Sequence, residues 1–222
     1  MWTEVNPKSI SRMGQSMARA SKHRDKRLVG RRLRALFLDR DGVINEDRGY
    51  VHEVQDFVFI DGVFRTCQLF QKSGYRLLIV TNQSGIGRGL YSENDFQALT
   101  AWMCERFRQK GVSIDGVYYC PHHPTEGVGE YGRACTCRKP QAGMLLRAAR
   151  EHGVDLKESI MVGDEETDLI AADRAGVGLK VLVRDGHAID RACLARADLV
   201  VESLGRTEAF RRLIRQCLAK GC

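Results

Sequence analysis

No stretch of this chain approaches the roughly 18 consecutive apolar residues that a membrane-crossing helix needs. Nor does its start contain an apolar run long enough for the core of a signal peptide. Neither a membrane span nor export is therefore expected, and the cytoplasm is the expected compartment. No internal repeat and no low-complexity linker is present, which excludes solenoid and collagen-like architectures. Acidic residues are nearly missing from the first 34 positions. Glu4 and Asp25 face ten lysines and arginines there, so this segment carries +8 of a total formal charge of +7. The remaining residues sum to −1. The basic balance of the whole chain belongs to an N-terminal arm, and the body lacks the basic stripe of a nucleic-acid-binding surface.

The arm, residues 1–33, is rich in Ser, Arg and Lys and poor in β-branched residues, so it cannot bury enough surface to fold alone. It reads as a solvated, disordered tail. A later start at Met13 or Met17, a polyanion-binding arm and an organellar transit peptide are the alternatives. Residues 34–222, with 43% hydrophobic and 28% charged residues in the chain as a whole, are expected to form one globular domain. A monomer is the default, since no long exposed apolar helix demands a partner.

Within that domain, short apolar runs alternate with amphipathic stretches. Strands are predicted at 35–38, 57–60, 76–80, 116–119, 159–162, 179–183 and 199–201. Helices are predicted at 63–72, 92–110, 143–152, from about 165 to 175, and from about 204 to 218. Gly74, Gly153 and Gly176 stand where helices stop, and Ser92 with Asp95 has the spacing of a capping box. Continuous apolar strands alternating with helices give an α/β fold, a parallel sheet covered on both faces.

The residues able to do chemistry follow strand ends, where open α/β sheets bind ligands. Asp39-Arg40-Asp41-Gly42 sets two carboxylates two residues apart after the first strand. One can attack a phosphoryl group, and the other can protonate the leaving oxygen and then activate water. Thr81-Asn82-Gln83-Ser84-Gly85 offers a hydroxyl, amides and backbone N–H groups suited to phosphate oxygens. Arg138-Lys139-Pro140 adds two cations. Gly163-Asp164-Glu165-Glu166-Thr167-Asp168 brings acids suited to a hard cation such as Mg²⁺.

A separate cluster, Cys120-Pro121-His122 and Cys135-Thr136-Cys137, provides three thiolates and an imidazole, a closed set for structural Zn²⁺. His123 competes with His122 for the imidazole place, and symmetric one-residue gaps favour His122. The metal would pin a glycine-rich loop at about 120–137 and fix the cations that follow it. The other cysteines are scattered, and Cys67 and Cys104 fall in helical patterns as small core residues.

Taken in order, these motifs resemble the haloacid dehalogenase-like phosphohydrolases, Mg²⁺-dependent phosphatases with a Rossmann-like core. The resemblance implies that Asp39 is the nucleophile and Asp41 the general acid/base, and that Thr81 and Lys139 hold the transferring phosphoryl group. It implies Mg²⁺ on Asp39, Asp164 and the Asp41 backbone carbonyl, with Asp168 in support, and it favours His122 as the fourth zinc ligand. Over residues 34–186 the match is closer to the sugar-bisphosphate phosphatases of that superfamily, which serve bacterial surface-glycan synthesis. That implies a capless domain and substrate contacts from Asp47, Arg48, Gly49, Tyr50, Thr81, Asn82, Gln83, Ser84, Arg138 and Lys139. The expected partner is then a small phosphorylated sugar, with neither nucleic acid nor membrane. One position departs: a Lys often follows the magnesium Asp in these relatives, and here Glu165 does. The competing readings are a histidinol-phosphate phosphatase and, from another class, a basic zinc-bearing nucleic-acid-binding protein.

Overall fold

The structure is a computed structural model, and it describes residues 4–5, 33–184 and 191–219. In chain order its elements are β1 (Glu4–Val5), β2 (Arg34–Leu38), α1 (Val63–Lys72), β3 (Tyr75–Asn82), α2 (Ser84–Gly87), α3 (Glu93–Gln109) and β4 (Gly116–Cys120), followed by α4 (Gly143–His152), β5 (Ile160–Gly163), α5 (Glu166–Ala175), β6 (Leu179–Val183), α6 (Arg191–Arg196), β7 (Leu199–Val201) and α7 (Thr207–Ala219). The strands form one sheet in the order β1-β4-β3-β2-β5-β6-β7. All neighbours are parallel except β1, which runs antiparallel to β4 at the edge. The α/β fold expected from the alternating pattern is therefore present, with helices on both faces.

Side-chain alternation sends each strand's residues to opposite faces. On one face Leu36, Leu38, Leu77, Ile79 and Ile160 pack with Phe70 of α1, Phe96 and Phe107 of α3 and Phe210 of α7. On the other, Ala35, Phe37, Leu78, Val80 and Met161 pack with Leu145 of α4 and Ala171 and Ala172 of α5. These central strands are buried on both sides, so they read as unbroken apolar runs rather than as alternating ones.

The chain leaves β2 for β3 and β4 on one side, then crosses back to β5, β6 and β7 on the other. The sheet therefore changes direction at β2, and the carboxyl ends of β3, β2 and β5 meet there. Asp39, the Thr81 end of β3 and Asp164 are neighbours for that reason.

Several elements agree closely with expectation. Ser92 Oγ accepts the Asp95 N–H at 3.1 Å and Asp95 Oδ2 accepts the Ser92 N–H at 2.8 Å, completing the capping box of α3. Gly153 and Gly176 end α4 and α5 with positive φ. Residues 57–60 differ, because they do not join the sheet. Phe59 bridges Asn45, and Ile60 and Ile44 share a backbone hydrogen bond. The segment is instead anchored by ring contacts of Phe57 and Phe59 with Trp102. It packs as a flap beside the Asp39 turn. Three elements were not foreseen: β1, the single-turn α2 and the six-residue α6. Apart from β1 and the residues from 33 onward, the arm lies outside the described residues, and so does the expectation of a disordered tail. Among the described residues no helix is long and apolar enough to cross a membrane.

Candidate active site

Asp39 leaves β2 with its N–H donated to the Val162 carbonyl of β5, which ties the turn to the neighbouring strand. One carboxylate oxygen accepts the Arg40 N–H at 2.7 Å, and the other lies 2.8 Å from Lys139 Nζ. Gly42 follows at φ 75°, and a Cβ on it would lie 2.0 Å from a carboxylate oxygen of Asp164. Only glycine lets the turn pass this close to the acidic side chain.

Lys139 is almost wholly buried. Its Nζ reaches Asp39, Asp168 at 2.5 Å and the Val80 carbonyl at 3.0 Å. Burial alone would lower its pKa, but Asp168 and Asp39 raise it, so it stays an ammonium. Asn82 clasps the Lys139 backbone, donating to its carbonyl at 3.1 Å and accepting its N–H at 3.0 Å. The end of β3 thereby aims a lysine that lies 57 residues away in sequence.

Asp39, Asp164 and Asp168 bring carboxylate oxygens within 4.8 Å of one another. Burial, opposed by Lys139 and reinforced by Asp168, pushes Asp39 up to about 7. Burial, with Asp39 and Asp168 adding to it, pushes Asp164 up to about 9. Three carboxylates around one ammonium leave a local charge deficit that a divalent cation with oxygen ligands satisfies, so the donor set fits Mg²⁺. Asp168 is fully buried. One of its oxygens takes Lys139 and the other accepts the Glu165 N–H at 3.1 Å, which suits a supporting role. Glu165 itself is the N-cap of α5 and accepts the Thr167 hydroxyl at 3.0 Å. The departure at this position thus has a structural use.

The Asp41 carboxylate is held from several sides. Arg40, itself 2% exposed, grips it through Nε and a terminal nitrogen and also donates to the Val51 carbonyl. Asn45 Nδ2 donates at 3.0 Å and Gln83 Nε2 at 3.1 Å. Gln83 Nε2 also donates to Thr81 Oγ1 at 2.9 Å, and Tyr91 donates its hydroxyl to Gln83 Oε1 at 2.6 Å.

These groups line a cavity of about 250 Å³. Asp39, Asp41, Asp47, Gly49, Tyr50, Thr81, Asn82, Gln83, Ser84, Arg138, Lys139 and Asp164 are all brought to it. Arg48 is not. It points to solvent, 51% exposed, and pairs with Glu46 at 2.7 Å. The reason is local: the Asp47 carboxylate accepts the Gly49 N–H at 2.9 Å, an Asx turn that faces 47 inward and 48 outward. Tyr91 and Glu165 also line the cavity, and neither they nor Arg40 and Asn45 were foreseen as site residues. The position of Arg40 between two site carboxylates was the available signal for it. The amides of Asn82 and Gln83 are both committed to protein partners.

Cys120, His122, Cys135 and Cys137 bring their sulfur and nitrogen atoms together within 4.8 Å. The sulfur–sulfur separations are 3.1, 3.3 and 3.5 Å, and His122 Nδ1 lies 3.6 Å from Cys120 and 3.5 Å from Cys137. With bonds of about 2.3 Å, a tetrahedral zinc spaces its sulfurs by roughly 3.7 Å, so the set fits that metal. All of these cysteines are free of disulfides. His123 is turned away, accepting the Glu126 N–H and facing Arg88, so it is His122 that stands with the thiols. The cluster also holds Arg138: its N–H donates to Cys135 Sγ, and its side chain donates to the His122 carbonyl.

Comparison with known proteins is consistent across three kinds of similarity. A HAD-hydrolase-like family model matches residues 136–207. The chain is 52% identical over 170 residues to the D-glycero-beta-D-manno-heptose-1,7-bisphosphate 7-phosphatase of Vibrio cholerae serotype O1, covering 77% of this chain and 91% of that protein. It is 50% identical over 170 residues to the enzyme of the same name from Escherichia coli K12, covering 77% and 89%. Among solved structures, D,D-heptose 1,7-bisphosphate phosphatase from B. bronchiseptica, complexed with magnesium and phosphate, superposes with a TM-score of 0.69 at 31% identity, covering 83% of this chain and 99% of that one.

Proposed function

The chain belongs to the D-glycero-beta-D-manno-heptose-1,7-bisphosphate 7-phosphatase family of HAD-like hydrolases, and from that premise we propose that it removes the 7-phosphate of that heptose bisphosphate. The product is the heptose 1-phosphate used to build nucleotide-activated heptose for lipopolysaccharide. The enzyme acts in the cytoplasm as a monomer on this small sugar, without nucleic acid or membrane. A single phosphatase domain spans 34–222, and Glu4–Val5 add an edge strand to its sheet. The observation that carries the reading is the Asp39 carboxylate set 2.8 Å from a buried Lys139 inside a polar cavity at the sheet's switch point.

In the proposed reaction an Asp39 oxygen attacks phosphorus and the bond to the sugar O7 breaks. Lys139 and Thr81 bind the equatorial phosphoryl oxygens, where charge is spread in the transition state. Asp41, protonated at this stage, gives its proton to the departing O7. It then takes a proton from water as that water attacks the phosphoryl group on Asp39, releasing inorganic phosphate, freeing the Asp39 carboxylate and returning the proton to Asp41. Asp47, Gly49, Tyr50, Ser84 and Arg138 position the rest of the bisphosphate, with Arg138 on the phosphate that stays. Mg²⁺, held by Asp39, Asp164 and the Asp41 carbonyl, supplies charge neutralisation for an anionic substrate. Zn²⁺, held by Cys120, His122, Cys135 and Cys137, supplies folding energy to the loop that delivers Arg138 and Lys139.

Phosphate release from the β-heptose bisphosphate, its α anomer and histidinol phosphate, each with Mg²⁺, tests the reading. We expect the highest kcat/KM on the β anomer. A higher value on histidinol phosphate overturns the assignment.

A further inference from the structure

Gln83 sits between the two groups that handle the leaving oxygen and the phosphoryl group, and its side chain is only 2% exposed. Asp41 accepts from Arg40 and Asn45, and the Gln83 nitrogen faces it as a further donor. That nitrogen has two hydrogens. One goes to Asp41 Oδ2 and the other to Thr81 Oγ1. The amide oxygen is left on the opposite side, where the Tyr91 hydroxyl meets it at 2.6 Å. An amide turned by 180° would set its oxygen against the Asp41 carboxylate and its nitrogen against the Tyr91 hydroxyl. The Tyr91 hydroxyl is what gives the correct orientation a partner for its oxygen.

The Tyr91 ring is itself braced. His52 stacks on it with centroids 4.9 Å apart and planes 5° apart. On another side Gly85 gives it room, since a Cβ there would lie 2.1 Å from the Tyr91 ring. The hydroxyl therefore has little freedom, and burial raises its pKa so that it keeps its proton.

We infer that Tyr91 is a positioning residue which, through the Gln83 amide, orients Asp41 and Thr81 together for phosphoryl transfer. The inference rests on the proposed phosphatase reading, because it assigns Asp41 the protonation of the leaving group. Protonation matters most when the leaving oxygen is a sugar alkoxide. It matters little when the leaving group is p-nitrophenolate, which departs as an anion. A misaligned Asp41 therefore slows the sugar ester selectively, whereas simple damage to the site slows both.

The test measures kcat/KM for wild type, Tyr91→Phe, Gln83→Met and the double variant. The substrates are an alkyl phosphate that the wild type hydrolyses, heptose bisphosphate first, and p-nitrophenyl phosphate. For Tyr91→Phe we expect a loss of about tenfold on the alkyl ester, the size set by one misplaced hydrogen bond, and under about threefold on the aryl ester. The double variant should lose no more than Gln83→Met alone, because Tyr91 acts only through Gln83. Equal losses on both esters, or multiplying losses in the double variant, overturn the inference. Absence of wild-type turnover on heptose bisphosphate strikes the functional reading instead, and leaves the ratio measurable on another alkyl ester.

Discussion

Asp164→Asn should abolish turnover yet stabilise the protein in Mg²⁺-free buffer. Burial, together with Asp39 and Asp168, pushes Asp164 from its ordinary 3.8 up to about 9. A carboxyl whose pKa rises on folding binds protons more tightly in the folded state. Its penalty is absent below about pH 4, grows as pH rises, and is complete only above about 9. At pH 7.5 it amounts to at most about 5 kcal/mol, and Asp39 shares part of that strain, so removing the charge should return about 2–3 kcal/mol. For a domain of this size that raises Tm by roughly 5–10 °C. At pH 5 the gain should shrink to about 1 kcal/mol or less. Saturating Mg²⁺ should close or reverse the gap, because only the wild type gains stability by binding the ion at this carboxylate, about 2.7 kcal/mol at a hundredfold excess over Kd. Thermal unfolding at pH 5 and 7.5, with and without Mg²⁺, checks each of these. A variant less stable than wild type without Mg²⁺ at pH 7.5, or a gain that does not grow with pH, would refute the reasoning that these carboxylates stand in each other's field awaiting a cation.

Three further outcomes are expected. Asp39→Asn should leave the fold intact by circular dichroism while removing measurable phosphate release, since Asp168, the other carboxylate at Lys139, is fully buried. Cys137→Ser should lower zinc content from one per chain to near zero by metal analysis and also reduce kcat, because Arg138 and Lys139 follow the loop; one zinc still bound would contradict the ligand set. Burial pushes the thiols of Cys67 and Cys104 up to about 12 each, so neither should react with iodoacetamide at pH 8 in the folded protein. Labelling of either without unfolding would show that the core around α1 and α3 opens.

Much of the sheet was legible because its central strands are apolar on both faces and their helices end at glycines. Asp39, Thr81 and Asp164 were legible as a site because strand order brings their strand ends together, a rule of the architecture rather than of any local motif. The residues that were not legible depend on contacts distant in sequence or on loop geometry. The grip of Asn82 on the Lys139 backbone spans 57 residues, and nothing in the TNQ triplet says which of its amides faces a substrate. Arg48 stands inside a matching motif, yet an Asx turn at Asp47 sends it outward. Tyr91 stands in no recognised motif, and only the fold puts its hydroxyl against Gln83. The run at 57–60 had strand composition but found its partners in Asn45 and Trp102 instead of the sheet.

In the proposed reaction Asp39 opens the ester at one end of a heptose bisphosphate and spares the other. Phosphorus NMR of the β-heptose 1,7-bisphosphate during turnover with Mg²⁺ reads this directly. The 7-phosphate signal should disappear into inorganic phosphate while the anomeric 1-phosphate signal persists at full intensity. Loss of the anomeric signal first, or release of both phosphates together, would contradict it.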